Sequence, residues 1–264
     1  MKVRIAPTLA LAVVLVLAAC ATFEDGMDAY KQGDYETALE VWRPLAEGGN
    51  ADAQFNIGLI YMERRDGAEG PSAAAAWYRM AADRGHADAQ NNLGVMYFMA
   101  QGVPRDDAEA MRLFRAAADQ GHGQARFNLG RMYARGQGAP QDSVEAVALF
   151  RAAADQGVAE AAHSLGVIYG SGLGVARDDM AAANWYRRAA EAGYAEAQNN
   201  LCALYSTGRG VPRDYVQAHM WCDLAADQGN QTARRNRGII AERMTTPEIE
   251  TAEAWASARQ PPAE

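Results

Sequence analysis

A 36-residue repeat constrains what this 264-residue chain can fold into more than any other feature. Glycine recurs at this interval at Gly58, Gly94, Gly130 and Gly166, and tyrosine at Tyr61, Tyr97, Tyr133, Tyr169 and Tyr205. Five contiguous copies fill residues 51–86, 87–122, 123–158, 159–194 and 195–230. A fixed period of this size predicts a solenoid, in which each copy buries its apolar face against its neighbours.

Each copy reads as two helices. In the second copy, Ala89, Leu93 and Met96 fall on one helical stripe, and a Gly-Val-Pro segment then ends the helix. Aspartate follows this break in four copies, where it caps a second helix, and the glutamates at 109 and 145 predict capping boxes. A glycine such as Gly121 ends each copy as a C′ residue. The chain is therefore predicted to be all-α.

The copies share three motifs that resemble the Sel-one-like repeat family, a 36-residue relative of the tetratricopeptide repeat. These are an Asn-Leu-Gly-x-x-Tyr core, a Gly-x-Gly-Val-Pro-x-Asp turn and an Ala-Ala-Asp-Gln-Gly ending. The resemblance implies a right-handed α-solenoid, a superhelix of antiparallel helix hairpins. It also implies a binding or scaffold role, usually without catalysis. We predict no cofactor.

The solenoid is predicted to occupy residues 27–258. Residues 27–50 form a degenerate leading copy, in which Trp42 keeps the register of Tyr78 one period later. Residues 231–258 form capping helices, where Arg237 replaces the expected core leucine because a terminal unit meets water. Residues 259–264 contain two prolines and are predicted to be a disordered tail.

The amino terminus is predicted to be a lipoprotein signal peptide over residues 1–19. Lys2 and Arg4 precede an apolar run that is too short to span a bilayer and that ends Leu-Ala-Ala-Cys at Cys20. This ending resembles a bacterial lipobox, which implies acylation of Cys20 and a short tether over residues 20–26. The alternative is a plain secretory signal cut after Ala21. The expected location is the cell envelope, facing the periplasm, with the outer membrane favoured over the inner membrane.

The two remaining cysteines occupy mirrored positions in the fifth copy. Cys202 stands where the other copies have glycine, Cys222 stands where they have an aromatic ring, and both are equidistant from Pro212. An antiparallel hairpin brings such positions together, so the sequence predicts a disulfide, which an oxidising periplasm permits. Two buried free thiols are the alternative.

Composition and motifs exclude several classes of function. With 33 acidic and 25 basic residues, the chain has a net charge of −8 and no basic stripe, which disfavours nucleic-acid binding. The four histidines lack metal-ligand spacing, and no serine has a nucleophile elbow or a paired base. We therefore predict no metal and no catalytic residues.

The predicted functional feature is a concave groove on the first helices, by resemblance to tetratricopeptide proteins. Its predicted residues are Phe55, Asn56, Leu59, Met62, Asn91, Asn92, Val95, Phe98, Phe127, Asn128 and Arg131. The asparagines at 56, 92, 128 and 200 form an amide ladder that either binds an extended peptide or links neighbouring copies. The apolar members form either a partner-binding patch or ordinary core.

These features predict a non-catalytic scaffold on the bacterial envelope that binds another protein or a peptide and reaches the membrane through its acyl anchor. The alternative is a cell-wall enzyme or a glycan- or β-lactam-binding factor. Cysteine-rich cousins of the family have been linked to β-lactams, but the cysteine pair that each of their copies carries is absent here.

The anchor is testable by one substitution. We expect the intact protein to incorporate labelled palmitate and to fractionate with membranes, because two or more acyl chains hold a protein on a bilayer stably. Cys20→Ala is expected to lose the label and to be released as a soluble protein. Equal membrane retention of both forms would contradict lipidation of Cys20.

Overall fold

The structure is a computed structural model that describes residues 22–64 and 70–259. The predicted signal peptide, Cys20 and residues 260–264 lie outside the described residues. Fourteen α-helices and no strands occur in the two described ranges. None of these helices is both long enough and apolar enough to cross a bilayer. The described residues divide into two compact units, which meet in sequence at Gln120 and Gly121.

The first unit contains six helices: α1 (Phe23–Lys31), α2 (Tyr35–Glu47), α3 (Ala51–Glu63), α4 (Gly70–Ala82), α5 (Ala87–Met99) and α6 (Asp107–Asp119). The helices pack in chain order as the pairs α1–α2, α3–α4 and α5–α6, and each pair also contacts the next. One part of its core is centred on Trp42, Ile57 and Ile60, which are fully buried. The apolar interior therefore runs along consecutive pairs.

The second unit contains eight helices: α7 (Gly123–Arg135), α8 (Ser143–Ala154), α9 (Ala159–Ser171), α10 (Asp179–Glu191), α11 (Ala195–Thr207), α12 (Tyr215–Asp227), α13 (Gln231–Ala241) and α14 (Thr246–Ser257). The pairs α7–α8, α9–α10 and α11–α12 stack in order. Helices α13 and α14 both pack on α12. The predicted all-α solenoid with a 36-residue repeat is thus confirmed, and each of the five copies contributes one first helix and one second helix.

A glycine of each first helix lies under an aromatic ring of the second helix in the same copy. A Cβ atom placed on Gly58 would lie 2.5 Å from a ring carbon of Tyr78, and one on Gly166 would lie 2.5 Å from Tyr186. The phenylalanines of the second and third copies cover Gly94 and Gly130 at 2.8 and 2.9 Å. No side chain larger than hydrogen fits beneath these rings, so the glycine lets two helices approach closely.

The fifth copy replaces this contact with a disulfide. Cys202 on α11 and Cys222 on α12 are bonded, their Cα atoms are 5.4 Å apart, and both side chains are fully buried. The bond forms because the mirrored positions that hold a glycine and a ring elsewhere are adjacent across the hairpin. The predicted pairing is present in the structure, so the alternative of two free thiols is not the state that it shows.

The helix boundaries follow local signals, but the predicted capping boxes do not form at Glu109 or Glu145, and the first helix starts earlier than predicted. The Asp106 side chain accepts a hydrogen bond from the Glu109 backbone N–H at 2.9 Å, as predicted. The Glu109 carboxylate binds Arg112 instead of completing a capping box, because the guanidinium offers two donors at 2.7 and 2.8 Å. At the amino end, α1 starts at Phe23, before the predicted start at Met27, because Thr22 forms a capping box with Asp25.

The carboxyl-terminal unit accommodates its arginine by pairing it. Arg237, at the position where full copies have leucine, forms an ion pair with Asp223 on α12. The sequence prediction placed this side chain in water, whereas in the structure the Asp223 carboxylate balances its positive charge.

The glycine contact predicts a sharp difference between two equivalent substitutions. Gly166→Ala would force the added methyl group against three ring carbons of Tyr186, between 2.5 and 2.9 Å away. We expect a loss of about 1–3 kcal/mol in the free energy of unfolding by urea. Gly238→Ala is the matched control, because Gly238 is at the same repeat position and a Cβ atom added there would have no other atom within 4 Å. This substitution is expected to be neutral or to stabilise the protein by up to about 1 kcal/mol. Equal effects would contradict the packing argument.

The disulfide predicts a second result. The double variant Cys202→Ala and Cys222→Ala is expected to lose about 3 kcal/mol of stability, because the loop that the bond closes is freed in the unfolded chain. The double variant Cys202→Gly and Cys222→Tyr restores the pair found in other copies and is expected to lose less. Free thiols in unreduced protein, detected by mass spectrometry, would contradict the bond.

Candidate functional site

The predicted groove residues of the first unit lie on α3 and α5 and are largely half-buried. The Phe55 ring is 5.7 Å from that of Tyr78 and stacks on His86 at 4.6 Å, so it is engaged in packing. Leu59 and Val95 are half-buried, and Met62 is 38% exposed. Phe98 is half-buried beneath the guanidinium of Arg105, 5.4 Å from its ring centre. Met62 is therefore the most accessible apolar member of the predicted patch in this unit.

Two predicted groove residues are buried. Asn91 is 7% exposed and donates to the Asn92 side chain at 3.3 Å, and Phe127 is 7% exposed and packs on Phe150 at 5.8 Å. Phe127 is buried because its ring packs on a ring of the adjoining second helix, and part of it still lines the cleft described below. Asn128 and Arg131, on the same helix as Phe127, are half-buried.

The amide ladder makes contacts within the fold. Asn56 donates to the sulfur of Met27 at 3.6 Å. The Asn200 amide nitrogen lies 3.1 Å from Nε2 of His163 on the preceding first helix. Burial raises the pKa of Tyr78 to about 12, and a hydrogen bond from Asn92 opposes this shift. These contacts favour the structural role of the ladder over peptide binding.

Two further sets of repeated polar contacts, one formed by arginines and one by glutamines, were not predicted from the sequence. Arginines recur 18 residues before the repeated tyrosines: Arg43 and Arg187 donate to the hydroxyls of Tyr61 and Tyr205 at 3.4 and 3.3 Å, and the Arg79 guanidinium lies 5.3 Å from the ring centre of Tyr97. Glutamines reach back to the end of the preceding second helix. They are Gln54, Gln90 and Gln198, which donate to the carbonyls of Ala46, Ala82 and Ala190. The signal for both was present, since each residue type recurs at the repeat interval.

The second unit holds a cleft of about 530 Å³ between its first helices α7 and α9. Phe127, Arg131, Ala134 and Arg135 form the α7 wall. The α9 wall is formed by Glu160, His163, Ser164, Val167 and Ile168, and Gln124, Phe150 and Tyr194 complete the lining. Phe127 and Arg131 were predicted from the sequence as groove residues, whereas Arg135 and the α9 wall were not predicted.

The α9 wall is held rigidly by aromatic packing. The His163 ring lies 5.1 Å from that of Tyr194 and 5.6 Å from that of Tyr186. Burial lowers the pKa of His163, so the ring is neutral at pH 7, and donation from Asn200 to Nε2 leaves its proton on Nδ1. The Ser164 hydroxyl donates to the Glu160 carbonyl at 2.8 Å. His163 and Ser164 on this wall are therefore both engaged in contacts within the fold.

Charges on the two walls differ in sign. Arg131 and Arg135 are one helical turn apart on α7, and Glu160 is on α9. Burial and the charge of Arg135 lower the pKa of Arg131. Burial raises the pKa of Tyr194, with smaller effects from Glu196 and Glu160. The cleft thus offers guanidinium donors opposite a carboxylate, with apolar surface between them. In residues 22–64 and 70–259, no three His, Cys, Asp or Glu side chains are placed to hold a metal ion.

Comparison with known proteins agrees with the repeat boundaries. Residues 51–86, 87–122, 123–158, 159–194 and 195–230 each match the Sel1 repeat. These are the five copies that the sequence analysis delimits. No curated protein sequence matches the chain.

Solved structures share the fold. A protective antigen of uropathogenic Escherichia coli strains, which displays an SLR fold, is 33% identical over 96% of this chain, with a TM-score of 0.79. The chain spans 57% of that protein's length. A Sel1 repeat protein from Oxalobacter formigenes is 30% identical, with 93% of this chain and 99% of that protein covered and a TM-score of 0.77. A Klebsiella pneumoniae protein described as a Sel1 repeat protein shares the fold alone. It is 22% identical, with 76% of this chain and 97% of that protein covered and a TM-score of 0.51.

The structural role of the amide ladder is testable at Asn200. Asn200→Ala removes the partner of a half-buried histidine, so we expect a loss of about 0.5–1.5 kcal/mol in urea unfolding with helical content unchanged. The same substitution in a His163→Phe background is expected to cost less, because the acceptor is already absent. Unchanged stability together with lost partner binding would instead assign the ladder to a binding surface.

Proposed function

The chain belongs to the Sel1 repeat family, and we propose that it is a non-catalytic scaffold of the bacterial cell envelope that binds another protein or a peptide. Proteins of this family generally serve as protein-interaction scaffolds. The proposal for this chain adds the location, the anchor at Cys20 and the surface that is used. The observation that carries it is the cleft between α7 and α9.

The cleft suits recognition of an extended chain segment. Apolar side chains from both walls offer area for a partner's side chains, and the guanidinium and carboxylate groups fix its orientation. The walls are preorganised, because Phe127 and His163 pack against rings of second helices. A rigid surface loses little conformational entropy on binding, which favours affinity.

The envelope location is supported by the Leu-Ala-Ala-Cys ending at Cys20 and by the cysteine pair, whose bond is stable in oxidising compartments. An acyl anchor at Cys20 would hold the helices close to the membrane surface. The function we infer is display of a fixed helical surface there, onto which a partner docks.

Site-specific photocrosslinking tests this proposal. A benzoylphenylalanine placed at Val167, which lines the cleft and is 37% exposed, is expected to yield a discrete protein adduct in living cells. Val144 is the matched control, because it is 74% exposed in the same unit but does not line the cleft. An adduct from Val144 alone, or none from either position, would contradict binding at the cleft.

A further inference from the structure

Two arginines in the cleft lack the carboxylate partners that several other arginines of this chain have. Arg105 and Arg177 pair with aspartates at 2.8 Å, and Arg188 pairs with Asp155 at 3.1 Å. By contrast, the part of the chain that the structure describes places no carboxylate within 4.0 Å of Arg131 or Arg135. Arg131 is half-buried and lines the cleft, whereas Arg234 and Arg235 of α13, which also have no carboxylate partner among the described residues, are exposed to solvent.

The environment of Arg131 makes this arrangement costly without a ligand. Its guanidinium lies 5.6 Å from the ring centre of Phe127, it is half-buried, and Arg135 is one helical turn away. Burial of a cation beside a like charge is unfavourable, and a bound anion relieves both effects. A planar guanidinium matches a carboxylate with two parallel hydrogen bonds.

The charges on the α9 wall limit which ligands the cleft can bind. Glu160 repels a second anion there, and the neutral His163 and the bonded Ser164 add no positive charge. Both walls are therefore matched by a ligand that places one negative charge at the α7 wall and apolar groups against Val167 and Ile168. These requirements fit an acidic group next to an apolar side chain and disfavour a polyanion.

We propose that the cleft binds a carboxylate of an extended peptide segment of the partner, held between Arg131 and Arg135, with a neighbouring apolar side chain against Val167 and Ile168. This inference rests on the proposed peptide-binding function. The carboxylate comes either from an Asp or Glu side chain or from the partner's carboxyl terminus, since both present the same group.

Selection from a displayed library of random nine-residue peptides tests the proposal on the intact protein in detergent. We expect enriched peptides to carry Asp or Glu, or a free carboxyl terminus, beside an apolar residue. The most enriched peptide is then synthesised with a free and an amidated carboxyl terminus, and with each Asp or Glu replaced by Asn or Gln. The form whose affinity falls identifies the source of the carboxylate.

Two double variants locate the site. Arg131→Gln with Arg135→Gln is expected to weaken binding of the enriched peptide about 10- to 100-fold, because hydrogen bonds between charged groups are lost. Arg234→Gln with Arg235→Gln removes the same charge from the exposed face of α13 and is expected to leave affinity unchanged. Circular dichroism of both variants establishes that they fold equally.

The outcomes separate the two proposals. Peptides that bind without acidic enrichment, or whose binding tolerates the Arg131 and Arg135 changes, would overturn the carboxylate site and leave the scaffold function standing. Absence of any enriched peptide, together with absence of a Val167 adduct in cells, would overturn both.

Discussion

In four consecutive copies, an aromatic ring of the second helix lies directly on a glycine of the first helix. This contact sets how closely the two helices approach, and the position of every side chain on the first helix follows from it. The rings at Tyr78, Phe114, Phe150 and Tyr186 are buried, so each copy has its own apolar centre. Stability is then distributed over copies and their nearest neighbours, as in other repeat proteins. Side chains on the open face of the first helices do not form part of this core, so they can differ between copies.

Most features of the fold that were predictable from the sequence follow from the 36-residue repeat. Glycines, tyrosines and turn aspartates recur because every copy needs the same packing and caps, and a recurring residue type is visible without a structure. The cysteine pair was predictable for the same reason: Cys202 and Cys222 replace two residues whose mirrored positions other copies reveal. The arginines and glutamines that form repeated polar contacts show the same period, but their roles depend on hydrogen bonds between polar groups, which the periodicity of apolar residues does not reveal.

The cleft was less predictable, since it depends on what differs between copies. Arg131, Arg135 and His163 each occur once at their repeat positions, so periodicity gives no signal for them. Glu160 recurs one copy later as Glu196, and this recurrence does not distinguish the copy that lines the cleft. The convergence of these four residues depends on the distance and rotation between α7 and α9. Asn91 illustrates the same limit, because it is 7% exposed while the adjacent Asn92 is half-buried.

The 36-residue helix pair is the packing unit of this fold, so deletion of one whole copy leaves every remaining unit intact. Removing residues 159–194 joins Val158 to Ala195, which is the same junction in the repeat as Tyr194 to Ala195. Urea unfolding of this variant, monitored by circular dichroism, is predicted to show one cooperative transition with helical content per residue preserved and stability reduced. Removing only residues 177–194, which contain a single second helix, is predicted to prevent cooperative folding. Loss of cooperative folding in the whole-copy deletion, or equal behaviour of the two deletions, would contradict the account.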